Sequence, residues 1–278
     1  MDSQRGDAAL SRATVPTSGS FANGMSRVLI LGGTTEARQL AERLARRADL
    51  EIVVSLAGRT KSPAPQTAPV RTGGFGGAAG LADYLVKESI AAMIDATHPY
   101  ANVISANANS AARQSGVPLI ALRRPPWCAV AGDRWTEAAD VAGAVRILRD
   151  RSRRVFAALG RNELAPLTAA PQHFYLIRSV DLVEPPLPLP RAAYVPGRGP
   201  FSEADERALL VSRGIEIIIA KNSGGAATYG KIAAARALGL EVIMLRRPVP
   251  PDAPAVETVE EAIAWLDHAI TSAAARGV

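Results

Sequence analysis

Three short stretches carry side chains whose types and spacing suit them to chemistry. Asp95-Ala96-Thr97-His98-Pro99-Tyr100-Ala101 gathers a carboxylate, a hydroxyl, an imidazole and a phenol. Such a set can hold a ligand's polar edge or handle a proton, and His98 leads it as an acid–base candidate with Tyr100 beside it. Lys221-Asn222-Ser223-Gly224-Gly225, with Thr228, Tyr229 and Lys231 just beyond, sets two ammonium groups among small hydroxyls and paired glycines. That combination suits carboxylates. Gly32-Gly33-Thr34-Thr35-Glu36 supplies the third stretch, where the lack of a Cβ lets a phosphate approach the backbone and the Thr34 hydroxyl can donate to it.

Each stretch needs an element to hold it. Val28-Leu29-Ile30-Leu31 is a continuous apolar run, as expected of a strand buried on both faces of a parallel sheet. Beyond the glycines, Ala37, Leu40, Ala41, Leu44 and Ala45 recur at helical spacing. Strand, glycine turn and helix converge backbone N–H groups and the positive helix end on one point, a seat for a pyrophosphate. Thr34 and Ala37 stand where the full dinucleotide fingerprint has glycines, Ala being an allowed third member. A second strand, Glu51–Leu56, runs into Ala57-Gly58-Arg59-Thr60. No acid is present there to accept from a ribose 2′-hydroxyl, whereas Arg59 suits a 2′-phosphate, so NADP is favoured over NAD.

The remaining chain continues the pattern. A short strand at Pro69–Thr72 leads into Gly73-Gly74-Phe75-Gly76-Gly77, where the backbone can lie close to something flat. Ile90–Asp95 is a buried strand ending at the His98 turn, and Val117–Leu122 closes the series. Arg123–Trp135 breaks the periodicity and reads as a crossover to a second domain. In that domain Arg154–Leu159 is a strand ending in Gly160-Arg161-Asn162-Glu163, and Phe174–Ile177 is another. The Pro-rich segment from Pro185 to Pro196 is unsuited to a central strand. Ser202 and Asp205 have capping-box spacing, Ile215–Ala220 is a strand delivering the Lys221 stretch, and Glu241–Leu245 reads as the last strand. Thr258 and Glu261 cap a final helix with Val259, Ala262, Ile263 and Leu266 on its inner face. The expected fold is therefore α/β, with two Rossmann-like domains of mainly parallel sheets facing across a cleft. Residues 25–124 are expected to form the NADP-binding unit and 125–278 the substrate-binding one, with 1–24 a disordered tail and Met25 an older start.

Composition limits the partners. The formal charge is +6, favouring an anion, but the basic residues fall in pairs such as Arg123-Arg124 and Arg246-Arg247 rather than in runs. Aromatic residues, at 5%, are too few for a nucleic-acid stacking platform, so a small polyanion fits better. Cys128 is the only cysteine, which excludes an intramolecular disulfide and a Cys-based metal site and suits a reducing cytoplasm. It reads as a small buried apolar residue. No apolar run reaches the length of a membrane span.

Taken in order, Ile30-Leu31-Gly32-Gly33-Thr34-Thr35-Glu36-Ala37-Arg38, Asp95–Ala101, Arg198-Gly199-Pro200-Phe201 and Lys221–Gly225 resemble the four motifs of the precorrin-6A and cobalt-precorrin-6A reductase family of cobalamin biosynthesis. The resemblance runs from about Arg27 to Trp265. It implies NADPH-dependent hydride transfer to one double bond of precorrin-6A, giving precorrin-6B, with no metal in the site. The substrate would be a tetrapyrrole polycarboxylate, handed over from or to neighbouring pathway enzymes. On that reading Gly32, Gly33, Thr34, Glu36, Arg59, Thr60, Gly74 and Thr97 hold the coenzyme, with His98 and Tyr100 at its reactive end. Arg198, Phe201, Lys221, Asn222, Ser223, Gly224 and Lys231 hold the substrate. The residues alone also admit an NADP-dependent reductase of another large anion, or a non-catalytic NADP sensor. The Lys221 cluster weighs against the sensor, which has no use for a polyanion pocket.

Overall fold

The computed structural model describes residues 25–58 and 63–276. The tail 1–24 and the expected coenzyme residues Arg59 and Thr60 lie outside the described residues. In chain order the first elements are β1 (Ser26–Leu31), α1 (Thr35–Leu44), β2 (Leu50–Leu56), β3 (Val70–Thr72), α2 (Gly77–Lys87), β4 (Ile90–Asp95), α3 (Asn102–Ser115) and β5 (Leu119–Leu122). There follow β6 (Arg134–Ala138), α4 (Val141–Leu148), β7 (Arg154–Ala158), β8 (Phe174–Ser179), β9 (Ala192–Pro196), α5 (Glu203–Ser212) and β10 (Ile217–Lys221). The chain ends with α6 (Gly230–Ala237), β11 (Glu241–Leu245), β12 (Ala255–Val256) and α7 (Val259–Arg276).

The strands form two six-stranded sheets, β12-β5-β4-β1-β2-β3 and β6-β11-β10-β7-β8-β9. Every pairing is parallel, so helices must cover both faces of each sheet. The apolar runs obey the strand's period of two. Val28 and Ile30 pack with α1 and with Val259, Ala262 and Leu266 of α7, while Leu29 and Leu31 face Leu81 and Leu85 of α2 and Ala108 and Ala111 of α3. In the second sheet Ile217 and Ile219 turn toward α4, and Ile218 and Ala220 toward α5 and α6.

Both sheets reverse direction at an equivalent place. In the first, β1 lies between β2 and β4; in the second, β7 lies between β8 and β10. Open α/β sheets bind ligands at the carboxyl ends of the strands at this reversal. Tyr100, just beyond β4, gives its hydroxyl proton to the carbonyl of Leu245 at the end of β11 and accepts from the Asn222 N–H at the end of β10. The carboxyl edges of the two sheets are thereby brought together.

Four expectations are corrected. Glu241–Leu245 is not the last strand, because β12 pairs with β5, and α7 fills the core of the first sheet. Residues 255–276 thus return to the first lobe, although the sequence reading assigned all of 125–278 to the second. The segment read as crossover contains the start of β6, which pairs with β11. Its mostly exposed residues on a sheet edge, Arg134, Thr136 and Glu137 among them, give no continuous apolar run to detect. Cys128 is exposed. The Pro-rich segment does end in a strand, β9, but at the sheet edge where one set of backbone groups needs no partner. Among the described residues, no helix is long and apolar enough to cross a membrane.

Candidate active site between the two sheet reversals

The glycine corner follows β1. Gly32 continues the ladder, its N–H donating to the Ser55 carbonyl at 2.9 Å. Gly33 has φ +121°, and a Cβ there would meet no atom within 4 Å. Open space therefore borders the first turn of α1, where a helix leaves its leading N–H groups without intrahelical partners. The Thr34 hydroxyl is occupied otherwise than expected. It accepts from the Ala37 N–H at 3.0 Å, capping α1, and donates to the Ala96 carbonyl at 2.8 Å, tying the corner to β4. Its one proton is committed, which leaves the backbone N–H groups as the donors open to a ligand at this corner. The Glu36 carboxylate is paired with Arg124.

At the sheet's edge, Arg71 folds the glycine loop after β3. Its guanidinium donates to the carbonyls of Gly73 at 2.7 Å and Gly74 at 2.6 Å and stacks on Phe75 at 3.7 Å. Gly74 thus contributes a carbonyl to the staple. Arg71 escaped the sequence reading, although its position one residue inside the end of β3 and four before Phe75 was visible.

The turn after β4 is organised by buried Asp95. Its Oδ1 accepts from the Thr97 N–H at 3.1 Å and the Thr97 hydroxyl at 2.6 Å, and its Oδ2 faces Arg123 at 3.7 Å. The Thr97 side chain is therefore spent on the turn. Next, the Nδ1 of His98 accepts from the Tyr100 N–H at 3.3 Å, which leaves the ring proton on Nε2. Burial, reinforced by the cations Lys221, Arg124, Arg247 and Lys231, pushes the His98 pKa down to about 3. A neutral imidazole follows at any physiological pH, so His98 offers a hydrogen bond rather than an imidazolium proton. Burial also lifts Tyr100 to about 12. With its hydroxyl engaged on both sides, Tyr100 joins the lobes.

The Lys221 stretch is largely the other half of that joint. The Asn222 amide brackets Trp127, accepting from its N–H at 2.7 Å and donating to its carbonyl at 2.9 Å. The buried Ser223 hydroxyl lies 3.0 Å from that of Thr228, and the Ser223 carbonyl accepts from Arg124 Nε at 2.6 Å. Gly224 has φ +73°, and a Cβ would stand 2.0 Å from the Pro125 carbonyl oxygen. Only glycine fits. Arg247 closes the joint, donating to the carbonyls of Asn222 at 2.7 Å and Arg124 at 2.8 Å. Asn222, Ser223 and Gly224 therefore build the wall of the site, with their polar groups turned to the chain rather than to a substrate.

Lys221 remains at the mouth, paired with Glu163 and 5.1 Å from the centroid of the Tyr100 ring. Lys231 is buried instead. Its ammonium donates to the Thr228 carbonyl at 2.6 Å and lies 5.0 Å from the Trp127 ring, and burial lowers its pKa to about 8. Phe201 packs on Arg178, centroid to guanidinium 4.2 Å, and Arg178 forms a buried pair with Glu206. Arg198 is exposed in the loop after β9. Sequence reasoning noticed Arg123-Arg124 and Arg246-Arg247 as scattered pairs. Each pair follows a strand, β5 or β11, beyond which the chain crosses between the lobes, and that shared position was the missed signal. Among the described residues, no cluster of three His, Cys, Asp or Glu side chains is arranged to hold a metal.

The arrangement sets open space at Gly33 beside one sheet reversal and Lys221 beside the other, with Arg124 and Arg247 also bearing on His98. The family described as precorrin-6x reductase CbiJ/CobK matches residues 27–267. A precorrin-6A reductase from Sinorhizobium sp is 57% identical over 242 residues, covering 87% of this chain and 93% of that protein. One from Rhodobacter capsulatus is 51% identical over 248 residues, covering 89% of this chain and 98% of that protein. The solved structure of a CobK precorrin-6A reductase superposes with a TM-score of 0.85 at 50% identity, covering 88% of this chain and 97% of that one. The chain belongs to the precorrin-6x reductase family.

Proposed function

We propose that the chain is an NADPH-dependent precorrin-6A reductase of cobalamin biosynthesis, saturating one C=C bond of the macrocycle to give precorrin-6B. The observation that carries this reading is the opposition of an open glycine corner to the cations Lys221, Arg124 and Arg247 gathered about buried, neutral His98. The corner suits a dinucleotide: Gly33 leaves space at the start of α1, where a helix N-terminus favours a phosphate. Gly32 and Gly33 would hold the pyrophosphate, Arg59 and Thr60 the 2′-phosphate, and the Gly73–Gly77 loop the adenine end. When bound, the coenzyme supplies a hydride.

The chain's own residues then position and neutralise. Lys221, Arg124 and Arg247 provide the positive potential that draws a polycarboxylate into the mouth. Arg198 and Phe201, on the loop beyond β9, extend the grip outward. The Nε2–H of His98 is a fixed hydrogen-bond donor for a carbonyl or carboxylate oxygen. His98 and Tyr100 both hold their protons near neutrality, and on this reading water supplies the proton that completes the reduction. Substrate arrives from, and product passes to, neighbouring pathway enzymes.

The test is direct. Purified protein should oxidise NADPH, followed by its absorbance, in one-to-one proportion to added precorrin-6A, and should do so poorly with NADH. No oxidation with that substrate, or equal use of NADH, would overturn the reading.

A further inference from the structure

Resting on that functional reading, we propose that Glu163 is a resident stand-in for a substrate carboxylate, holding Lys221 until an acetate or propionate arm of the substrate displaces it. Apart from the edge strands β12 and β6, the two lobes share one strand order, so the backbone after β7 in the second sheet corresponds to the glycine corner after β1 in the first. The first corner is open. The second is filled from within: a Cβ on Gly160 would lie 2.8 Å from Glu163 Oε2 and 3.7 Å from Lys221 Nζ. That carboxylate oxygen accepts from the Gly160 N–H at 2.9 Å and pairs with the Lys221 ammonium. One N–H and one ammonium around a single oxygen reproduce what a ligand carboxylate requires.

The location makes the pair more than surface decoration. Lys221 ends β10 at the reversal of the second sheet, and its ammonium faces the ring of Tyr100, which projects from the reversal of the first. Lys221 also heads the cations acting on His98, and Glu163 bears on Tyr100, so both groups look into the mouth between the sheets. Their exposures are unequal. The Lys221 side chain is 17% exposed and that of Glu163 34%. The carboxylate can swing to water while the ammonium stays. An acidic visitor would then exchange one carboxylate for another on Lys221. The resident one keeps an uncompensated cation from trapping unrelated anions and exacts a fixed cost from every ligand.

Glu163→Gln separates this from a purely structural ion pair. Its amide oxygen still accepts from Gly160, preserving the turn, but the negative charge on Lys221 is gone. Binding of precorrin-6A without coenzyme, titrated by the macrocycle's absorbance, should tighten about three- to fivefold, and KM should fall in parallel. Lys221→Gln should weaken binding, and adding Glu163→Gln to it should bring no further gain. Glu163→Ala provides the same readout if the amide variant folds poorly. Unchanged or weaker binding in both Glu163 variants, or a gain that persists without Lys221, would overturn the proposal. Wild-type turnover of precorrin-6A with NADPH is measured alongside: its absence defeats the functional reading itself, whereas its presence with an inert Glu163 defeats only the stand-in.

Discussion

Neutral His98 has a measurable consequence for stability. Its folded-state pKa, about 3, lies below the ordinary value of 6.5, so below pH 6.5 the unfolded chain takes up a proton that the native chain refuses. Stability due to this group is therefore whole at neutral pH and is lost as the pH falls from 6.5 toward 3. Between about pH 7 and pH 5 the loss amounts to about 2 kcal/mol. His98→Gln carries no titrating group, so its denaturant midpoint should shift less over that interval by a corresponding amount. Equal shifts in the two proteins would mean that the imidazole is free to protonate. Residue-scale chemistry was only half legible in the sequence. The string from Asp95 to Tyr100 announced a site, but the partners that fix each role are remote: Tyr100 meets Leu245 and Asn222, and Lys221 meets Glu163. Local spacing cannot reveal that a phenol is already bonded on both sides.

Two glycines divide the work of their loops. At Gly33 a methyl group would enter open space, so Gly33→Ala pays only for its positive φ, about 1–2 kcal/mol, while obstructing the corner where the pyrophosphate is proposed to rest. At Gly224 the same methyl would collide with the Pro125 carbonyl oxygen and with Arg247 Nη2, at 2.0 and 2.3 Å, in a loop that both lobes share. Gly224→Ala should cost about 3 kcal/mol or more and loosen the joint. Thermal unfolding and NADPH titration on both variants should separate them: weak coenzyme binding with a small fall in Tm for Gly33→Ala, and a large fall in Tm for Gly224→Ala. Similar effects from both would deny the distinction. The strands leading to these loops were readable because β1, β4 and β10 are continuous apolar runs, the mark of burial on two faces. β6 and β12 were not. Each is a sheet-edge strand without such a run, and β12 has only Ala255 and Val256, whose pairing with β5 comes from the tertiary fold.

The whole molecule is two lobes that cannot be cut where the chain first crosses. Beyond β5 the chain enters the second lobe through β6, and beyond β11 it returns to the first through β12 and α7. The joint sits across both crossings, with Arg124 on one and Arg247 on the other, linked through the Arg124 carbonyl. Two crossings brace the carboxyl edges against each other more firmly than a single linker, which suits the proposed meeting of coenzyme and substrate at fixed separation. Residues 25–124 alone lack α7, and with it Ala262 and Leu266, both at 0% exposure in the first core. Loss of one buried leucine side chain costs about 2–5 kcal/mol, a large part of a small domain's stability, and here a whole helix face is missing. A fragment of 25–124 should give no cooperative thermal transition by far-UV circular dichroism. The same fragment joined through a short flexible linker to 253–276 should regain one. Cooperative melting of 25–124 by itself would show that the returning segment is an accessory to the first lobe rather than part of its core.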